Sequence, residues 1–113
     1  MKINKELLKG STSTLILSLL DKTPMYGYQI IKEISLKSKG IFELKEGTIY
    51  PILHSLEKEE IIESYWYKSN EGRKRKYYKI TETGKKYLQS KKEEWKVFKN
   101  SVDSIIWEGF SWI

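Results

Sequence analysis

The sequence predicts a mainly α-helical domain with one small β-hairpin and a long final helix. Three observations carry this reading. Residues 46–58 place Ile49, Ile52, Leu53 and Leu56 at helical spacing, with Thr48, Tyr50, Pro51, His54, Ser55 and Lys58 on the other side. Two runs of β-formers, 62–67 and 74–80, flank the loop signal Ser69-Asn70-Glu71-Gly72. A heptad-like series follows, with Leu88, Trp95 and Val102 seven apart, and Phe98, Ile105 and Trp112 likewise.

Taken in order, Asn4 caps a first helix that runs through Leu20. Its apolar residues, Leu7, Leu8, Leu15, Ile16, Leu17, Leu19 and Leu20, cover more than one face in the last two turns. Such a helix touches both its own domain and something else. Gly10 and the small residues Ser11 to Thr14 weaken its middle but permit close packing. Asp21-Lys22-Thr23-Pro24 breaks the pattern. A second helix follows over about 26–38, with Ile30, Ile31 and Ile34 inward and Gln29, Lys32 and Lys37 elsewhere, and Gly40 stops it. A connector over 41–44 leads to the third helix. Proline is tolerated only near a helix start, so Pro51 requires this helix to begin no earlier than about Glu46.

In the first strand Ile62, Ser64 and Trp66 share one side, and Glu63, Tyr65 and Tyr67 the other. Tyr77, Tyr78 and Ile80 make the second strand. Thr81 caps the final helix, in which Gly84 is a weak point. Lys91 and Gly109 interrupt the heptad seam, which spans about three heptads and is long enough for a dimer arm. The expected organisation is one unit over 4–81 and a dimerisation helix over 82–113.

A chain of 113 residues has room for one core. Its formal net charge is +6, which favours a polyanionic partner, although lysine-rich composition has other origins. Position adds weight, because Lys68, Arg73, Lys74, Arg75, Lys76 and Lys79 crowd one stretch whose only acid is Glu71. Cysteine is absent, so no disulfide or thiolate metal site is expected, and a reducing cytoplasm suits the chain. No apolar run approaches the roughly 20 residues that span a bilayer. The N-terminus lacks the order of a signal peptide. A cytoplasmic protein without a membrane partner is expected. Catalysis finds little support. There is one histidine, and the pairs Glu59-Glu60 and Glu93-Glu94 do not face one another on a helix. Neither a phosphate-binding glycine loop nor metal-ligand spacing occurs, so no enzyme, cofactor or metal is expected.

The third helix can be read as a groove reader. The major groove of DNA admits one α-helix, and Thr48, Tyr50, His54 and Ser55 are short or planar groups that bond bases or phosphates. Lys45 and Lys58 would neutralise phosphates beside them. The same pattern also describes a plain solvent-facing helix. The hairpin's basic end can grip phosphates or an adjacent minor groove, or simply keep a strand edge hydrated. The order helix, helix, helix, hairpin, helix favours the functional reading, a winged helix-turn-helix. Tyr26 or Tyr28 can donate to phosphate while its ring packs. Trp95 on a dimer seam can stack on a planar ligand or serve as a packing anchor. Two rivals stay open: a winged helix that binds protein, and a DNA-coating protein whose specific-to-random affinity ratio is near one, where regulators reach about 10³.

Met25-Tyr26-Gly27-Tyr28-Gln29-Ile30, then Glu46-Gly47-Thr48-Ile49-Tyr50-Pro51-Ile52-Leu53-His54-Ser55-Leu56-Glu57, then Gly72-Arg73-Lys74-Arg75-Lys76-Tyr77-Tyr78-Lys79-Ile80-Thr81 resemble the signature of PadR-type transcriptional regulators. Leu8-Lys9-Gly10 fits the same pattern, and the likeness spans about 7–98. The single final helix resembles the short branch of that family. The resemblance implies a homodimer built by the first and last helices, and repression from an inverted-repeat operator in double-stranded DNA. Relief would come from a small aromatic ligand or a stress signal, giving a multidrug-responsive regulator. The expected DNA-binding set is Tyr26, Tyr28, Gln29, Lys32, Lys45, Thr48, Tyr50, Pro51, His54, Ser55, Arg73, Lys74, Arg75 and Lys76. The expected dimer interface is Leu8, Leu15, Leu88, Trp95, Phe98, Val102 and Ile105. Some short members bind aromatic drugs at the dimer interface through a tryptophan on the last helix, and Trp95 falls there by resemblance, with Phe98 and Leu15 as the other expected ligand residues. The aromatic tail 105–113 would pack in the dimer or the pocket, or meet another partner.

Overall fold

The computed structural model describes Met1 and residues 3–107. The first helix is not continuous. Helix α1 covers Lys5–Leu8, a 3-10 turn covers Lys9–Ser11, and helix α2 covers Thr12–Leu20. Asn4 caps α1 as expected, its Oδ1 accepting from the Glu6 N–H at 2.8 Å. The break falls on Gly10 and Ser11, which gain little from helical geometry and leave the backbone free to tighten. The Thr12 hydroxyl donates back across it to the Leu8 carbonyl at 3.3 Å.

A strand that periodicity could not show, β1, covers Met25–Tyr26 and is followed directly by helix α3, Gly27–Lys37. Two residues carry no alternation to read; the strand exists because β3 lies beside it. Past α3 the chain turns at Lys39 and Gly40, both at positive φ, and the Gly40 N–H bonds the Ser35 carbonyl at 2.8 Å. Helix α4 covers Glu46–Lys58 and begins where Pro51 required. Pro51 lies in its second turn, where the missing N–H would otherwise bond the Gly47 carbonyl. Ile49, Leu53 and Leu56 are buried, whereas Ile52 is only half-buried.

Strands β2, Ile62–Lys68, and β3, Lys74–Ile80, pair antiparallel from Ile62 opposite Ile80 to Lys68 opposite Lys74. With β1 on the far side of β3, through Met25 opposite Tyr78 and Tyr26 opposite Tyr77, the sheet has three strands in the order β1-β3-β2. Gly72, at φ +82°, closes the hairpin tip. The core gathers Ile16 and Leu17 of α2, Ile30 of α3, Ile49 and Leu53 of α4, and Ile62 of β2, all fully buried.

Helix α5 covers Glu82–Ile106, about 37 Å of helix at 1.5 Å per residue. Thr81 caps it, its Oγ1 accepting from the Gly84 N–H at 2.9 Å. Two sequence expectations are corrected here. Gly84 is not a weak point but a buried contact, seated against the Ile61 carbonyl and the Ile80 side chain where a Cβ would not fit. Leu88 is 2% exposed and closed inside the core of a single chain, so it leaves the interface set. The heptad spacing misled because the first turns of a long helix can pack on their own domain while the rest projects. Further along α5, Trp95, Phe98, Ile105 and Ile106 are exposed. Gly109, Trp112 and most of the aromatic tail lie outside the described residues.

Candidate nucleic-acid interface

Helix α4 turns Thr48, Tyr50, Pro51, His54 and Ser55 outward, and all are exposed. Its inward side is held by Ile49, Leu53 and Leu56, so the outward set follows from the 3.6-residue period. Between α4 and the sheet runs a cleft of about 510 Å³, lined by Tyr26, Gly27, Tyr50, His54, Trp66, Lys74, Arg75, Lys76 and Tyr78. The structure thus brings Tyr50 and His54 of the helix together with Lys74, Arg75 and Lys76 of the hairpin.

Close packing braces this cleft. Tyr50 lies over Gly27, at the start of α3, so that a Cβ there would come 2.6 Å from Tyr50 Cζ. Glycine is what lets the two helices' ends meet. The Arg75 guanidinium sits 4.4 Å above the Tyr26 ring, and Tyr26 meets Tyr77 edge-on at 5.5 Å. Tyr77 continues to Tyr65, stacked at 5.8 Å, and to Tyr67, edge-on at 5.6 Å. This row of rings on the sheet's outer face stiffens the hairpin along its length. Burial, the Glu57 carboxylate and Tyr50 together push the Tyr78 hydroxyl above the usual tyrosine pKa.

Other members of the expected set lie outside the cleft. Lys45 and Thr48 line a separate hollow of about 530 Å³ on the N-terminal side of α4, with Lys5 and Lys9. Tyr28 and Lys32 are exposed on α3, and Gln29 is half-buried. Arg73 stands exposed at the hairpin tip, its backbone N–H bonded to Ser69 Oγ at 3.3 Å. Pro51 and Ser55 are exposed on α4 without lining the cleft. Sequence reasoning missed Gly27, Trp66 and Tyr78 as cleft residues. Alternation did put Trp66 on the side of Ile62 and Ser64, but only the fold shows that this side faces α4 and leaves the ring 66% exposed.

A second hollow, of about 310 Å³, opens beside α1, α2 and α5 and is lined by Ile3, Leu7, Leu8, Ser11, Thr14, Leu15, Phe42 and Trp95. It brings Leu15 and Trp95 together. Phe98 lies 5.9 Å from Trp95 and lines the adjoining groove with Val102. Ile105 is 85% exposed near the end of the described helix. Among the described residues no group of His, Cys, Asp or Glu is placed to hold a metal ion, and no helix is long and apolar enough to cross a membrane.

Comparison with known proteins bears on what this arrangement is. The profile of the transcriptional regulator PadR-like family matches residues 16–90. A transcriptional regulator from Clostridium thermocellum has the same fold with a TM-score of 0.85 and 36% identity, covering 93% of this chain and 99% of that one. A PadR-like transcriptional regulator from Bacillus cereus strain ATCC 14579 has a TM-score of 0.80 and 31% identity, over 91% of this chain and 98% of that one. An uncharacterised protein X of Lysinibacillus sphaericus is 39% identical over 101 residues, which is 89% of this chain and 93% of that protein. This mainly helical chain with its three-stranded antiparallel sheet therefore belongs to the PadR-like family, a family of transcriptional regulators and not of enzymes.

Proposed function

We propose that the chain works as a cytoplasmic homodimeric repressor that binds an inverted-repeat operator in double-stranded DNA. One observation carries the reading: the exposed polar side of α4 and the basic strand β3 open onto the same cleft, with Tyr50 and His54 on one wall and Lys74 and Lys76 on the other, while Arg75, which also borders it, lies over Tyr26 toward the opposite face of the sheet. In a dimer, two α4 helices would enter successive major grooves about 34 Å apart. Thr48, Tyr50, Pro51, His54 and Ser55 would face base edges and the backbone beside them. Tyr26, Tyr28, Gln29, Lys32, Lys45, Arg73, Lys74, Arg75 and Lys76 would meet phosphates and fix the register. We place the working boundary between the DNA-binding unit and the dimer arm near Lys91, later than Glu82, because Gly84 and Leu88 pack into the core.

The arm, with Trp95, Phe98, Val102 and Ile105, would pair with that of a second copy, and Leu8 and Leu15 would join from the first helices. The apolar hollow at Leu15 and Trp95 supports an aromatic effector there. Such an effector relieves repression only by binding one dimer geometry better than the other. The deciding experiment is selection of duplexes from a random pool by the purified protein. A shared palindrome in the recovered fragments supports the operator. Recovery without any common sequence refutes it in favour of a DNA-coating protein.

A further inference from the structure

One carboxylate joins α4 to both strands of the hairpin. Glu57, in the last turn of α4, accepts a hydrogen bond from the Ser64 hydroxyl of β2 through Oε2. Its Oε1 lies 3.7 Å from Lys76 Nζ of β3. Ser64 and Lys76 stand one step apart along the sheet, since Ser64 faces Tyr78 and Lys76 faces Trp66. Ser64 is half-buried, and residues 65–68 beyond it are exposed. The tie is therefore made just where β2 leaves the body of the domain. Inward of it, the Ile61 N–H bonds the Leu56 carbonyl at 3.0 Å and Ile62 enters the core, which fixes the root of the hairpin but not the angle of its outer half.

The charge of Glu57 runs against its surroundings. It does not line the cleft itself but pairs with Lys76, which lines it together with Lys74 and Arg75. A carboxylate there opposes any polyanion entering the cleft, and it occupies a lysine that would otherwise be free for phosphate. An acid at this place lowers non-specific affinity, so a gain must come from elsewhere. Both of its partners are on the hairpin, and the gain available is geometric: the cations of β3 are held at one distance and angle from the side chains of α4.

We propose that Glu57 is a positioning residue that sets the hairpin against α4, and so raises discrimination between duplex sequences at the expense of general affinity. The inference rests on the DNA-binding reading above, and it separates two effects that act with opposite sign. Removing the charge alone should tighten every duplex alike. Removing the positioning should weaken the chosen sequence, because bonds from α4 and from β3 can no longer be made together.

The test uses the whole protein, a duplex that the parent selects from a random pool, and a shuffled duplex of the same composition. With Glu57→Ala, binding to the shuffled duplex should tighten a few-fold, while the ratio of selected to shuffled affinity falls about tenfold, the loss expected for one mismatched base pair. Ser64→Ala changes no charge. It should leave the shuffled duplex unaffected and lower the ratio about threefold, and Ser64→Thr, which keeps the hydroxyl, should restore the parent ratio. Equal tightening of both duplexes in Glu57→Ala would mean an acid and nothing more, and overturns the proposal. Should that variant fold poorly, the Ser64 pair decides, and a ratio indifferent to the hydroxyl overturns it equally. A parent that selects no duplex strikes the DNA-binding reading instead, an outcome distinct from either.

Discussion

Gly84→Ala and Gly47→Ala should change stability with opposite sign. Both glycines sit in the first turn of a helix, Gly84 third in α5 and Gly47 second in α4. Helix propensity alone favours alanine at both by up to about 1 kcal/mol. Their surroundings differ. Beyond its chain neighbours and its own helix backbone, no atom lies within 4 Å of a Cβ built at Gly47. At Gly84 the Cβ would overlap the Ile61 carbonyl oxygen and come 2.7 Å from Ile80 Cγ1. That carbonyl cannot simply give way. It accepts from the Thr81 N–H at 3.1 Å, and the Thr81 hydroxyl lies 3.0 Å from it while also reaching the Glu60 carbonyl at 2.7 Å. Overpacking against a fixed wall costs about 3 kcal/mol, the upper part of the usual range. A strained backbone hydrogen bond adds about 1 kcal/mol. After the propensity gain, Gly84→Ala should lose about 3 kcal/mol, or roughly 12 °C in Tm for a chain of this size. Gly47→Ala should gain a few tenths to about 1 kcal/mol. Thermal melts and urea titrations at matched protein concentration check both, since dimerisation would make Tm depend on concentration. A Gly84→Ala protein as stable as the parent would refute the close approach of α5 to the root of the hairpin.

Three further outcomes are expected. Arg73→Ala with Arg75→Ala should weaken selected and shuffled duplexes alike and flatten the log–log salt slope by about 0.9 for each phosphate no longer neutralised; unchanged slopes, read by fluorescence anisotropy from low to moderate salt, would remove these arginines from the backbone set. Trp95→Ala should weaken self-association about 30-fold, roughly 2 kcal/mol, with folding intact, whereas Leu88→Ala should cost about 3 kcal/mol of folding stability; sedimentation and denaturant curves distinguish them, and the reverse pattern would restore Leu88 to the interface. Tyr78 carries a pKa raised above 10.0 by burial, then by Glu57 and Tyr50. The folded chain therefore holds that proton longer than the unfolded one, so its contribution is whole below pH 10 and declines as pH rises through the raised value. Tyr78→Phe should flatten the stability loss above pH 10 in urea titrations, and an unchanged slope there would remove Tyr78 as its source.

Much of this regulator could be read without coordinates, because it follows from short-range rules. Helical period divides Ile49, Leu53 and Leu56 from Tyr50, His54 and Ser55. Asn4 and Thr81 announce two helix starts, since a side-chain acceptor satisfies backbone donors that have no partner. Pro51 bounds the start of α4, and the hairpin's basic end is visible as composition. What stayed hidden depends on which distant segments touch. Strand β1 exists only because β3 offers it partners. Leu88 and Trp95 are equivalent on a heptad wheel, yet one is closed in the core and the other is half exposed beside an open hollow, because only the first turns of α5 are covered by the core. Gly84 looks like a flaw in a helix until the Ile61 carbonyl is seen against it. Glu57 looks like one more surface acid until Ser64 and Lys76 converge on it. Local sequence determines which elements form and which faces are polar, through backbone geometry and periodicity. Tertiary packing decides which of those faces meet, because contact between residues far apart in the chain is a property of the folded whole.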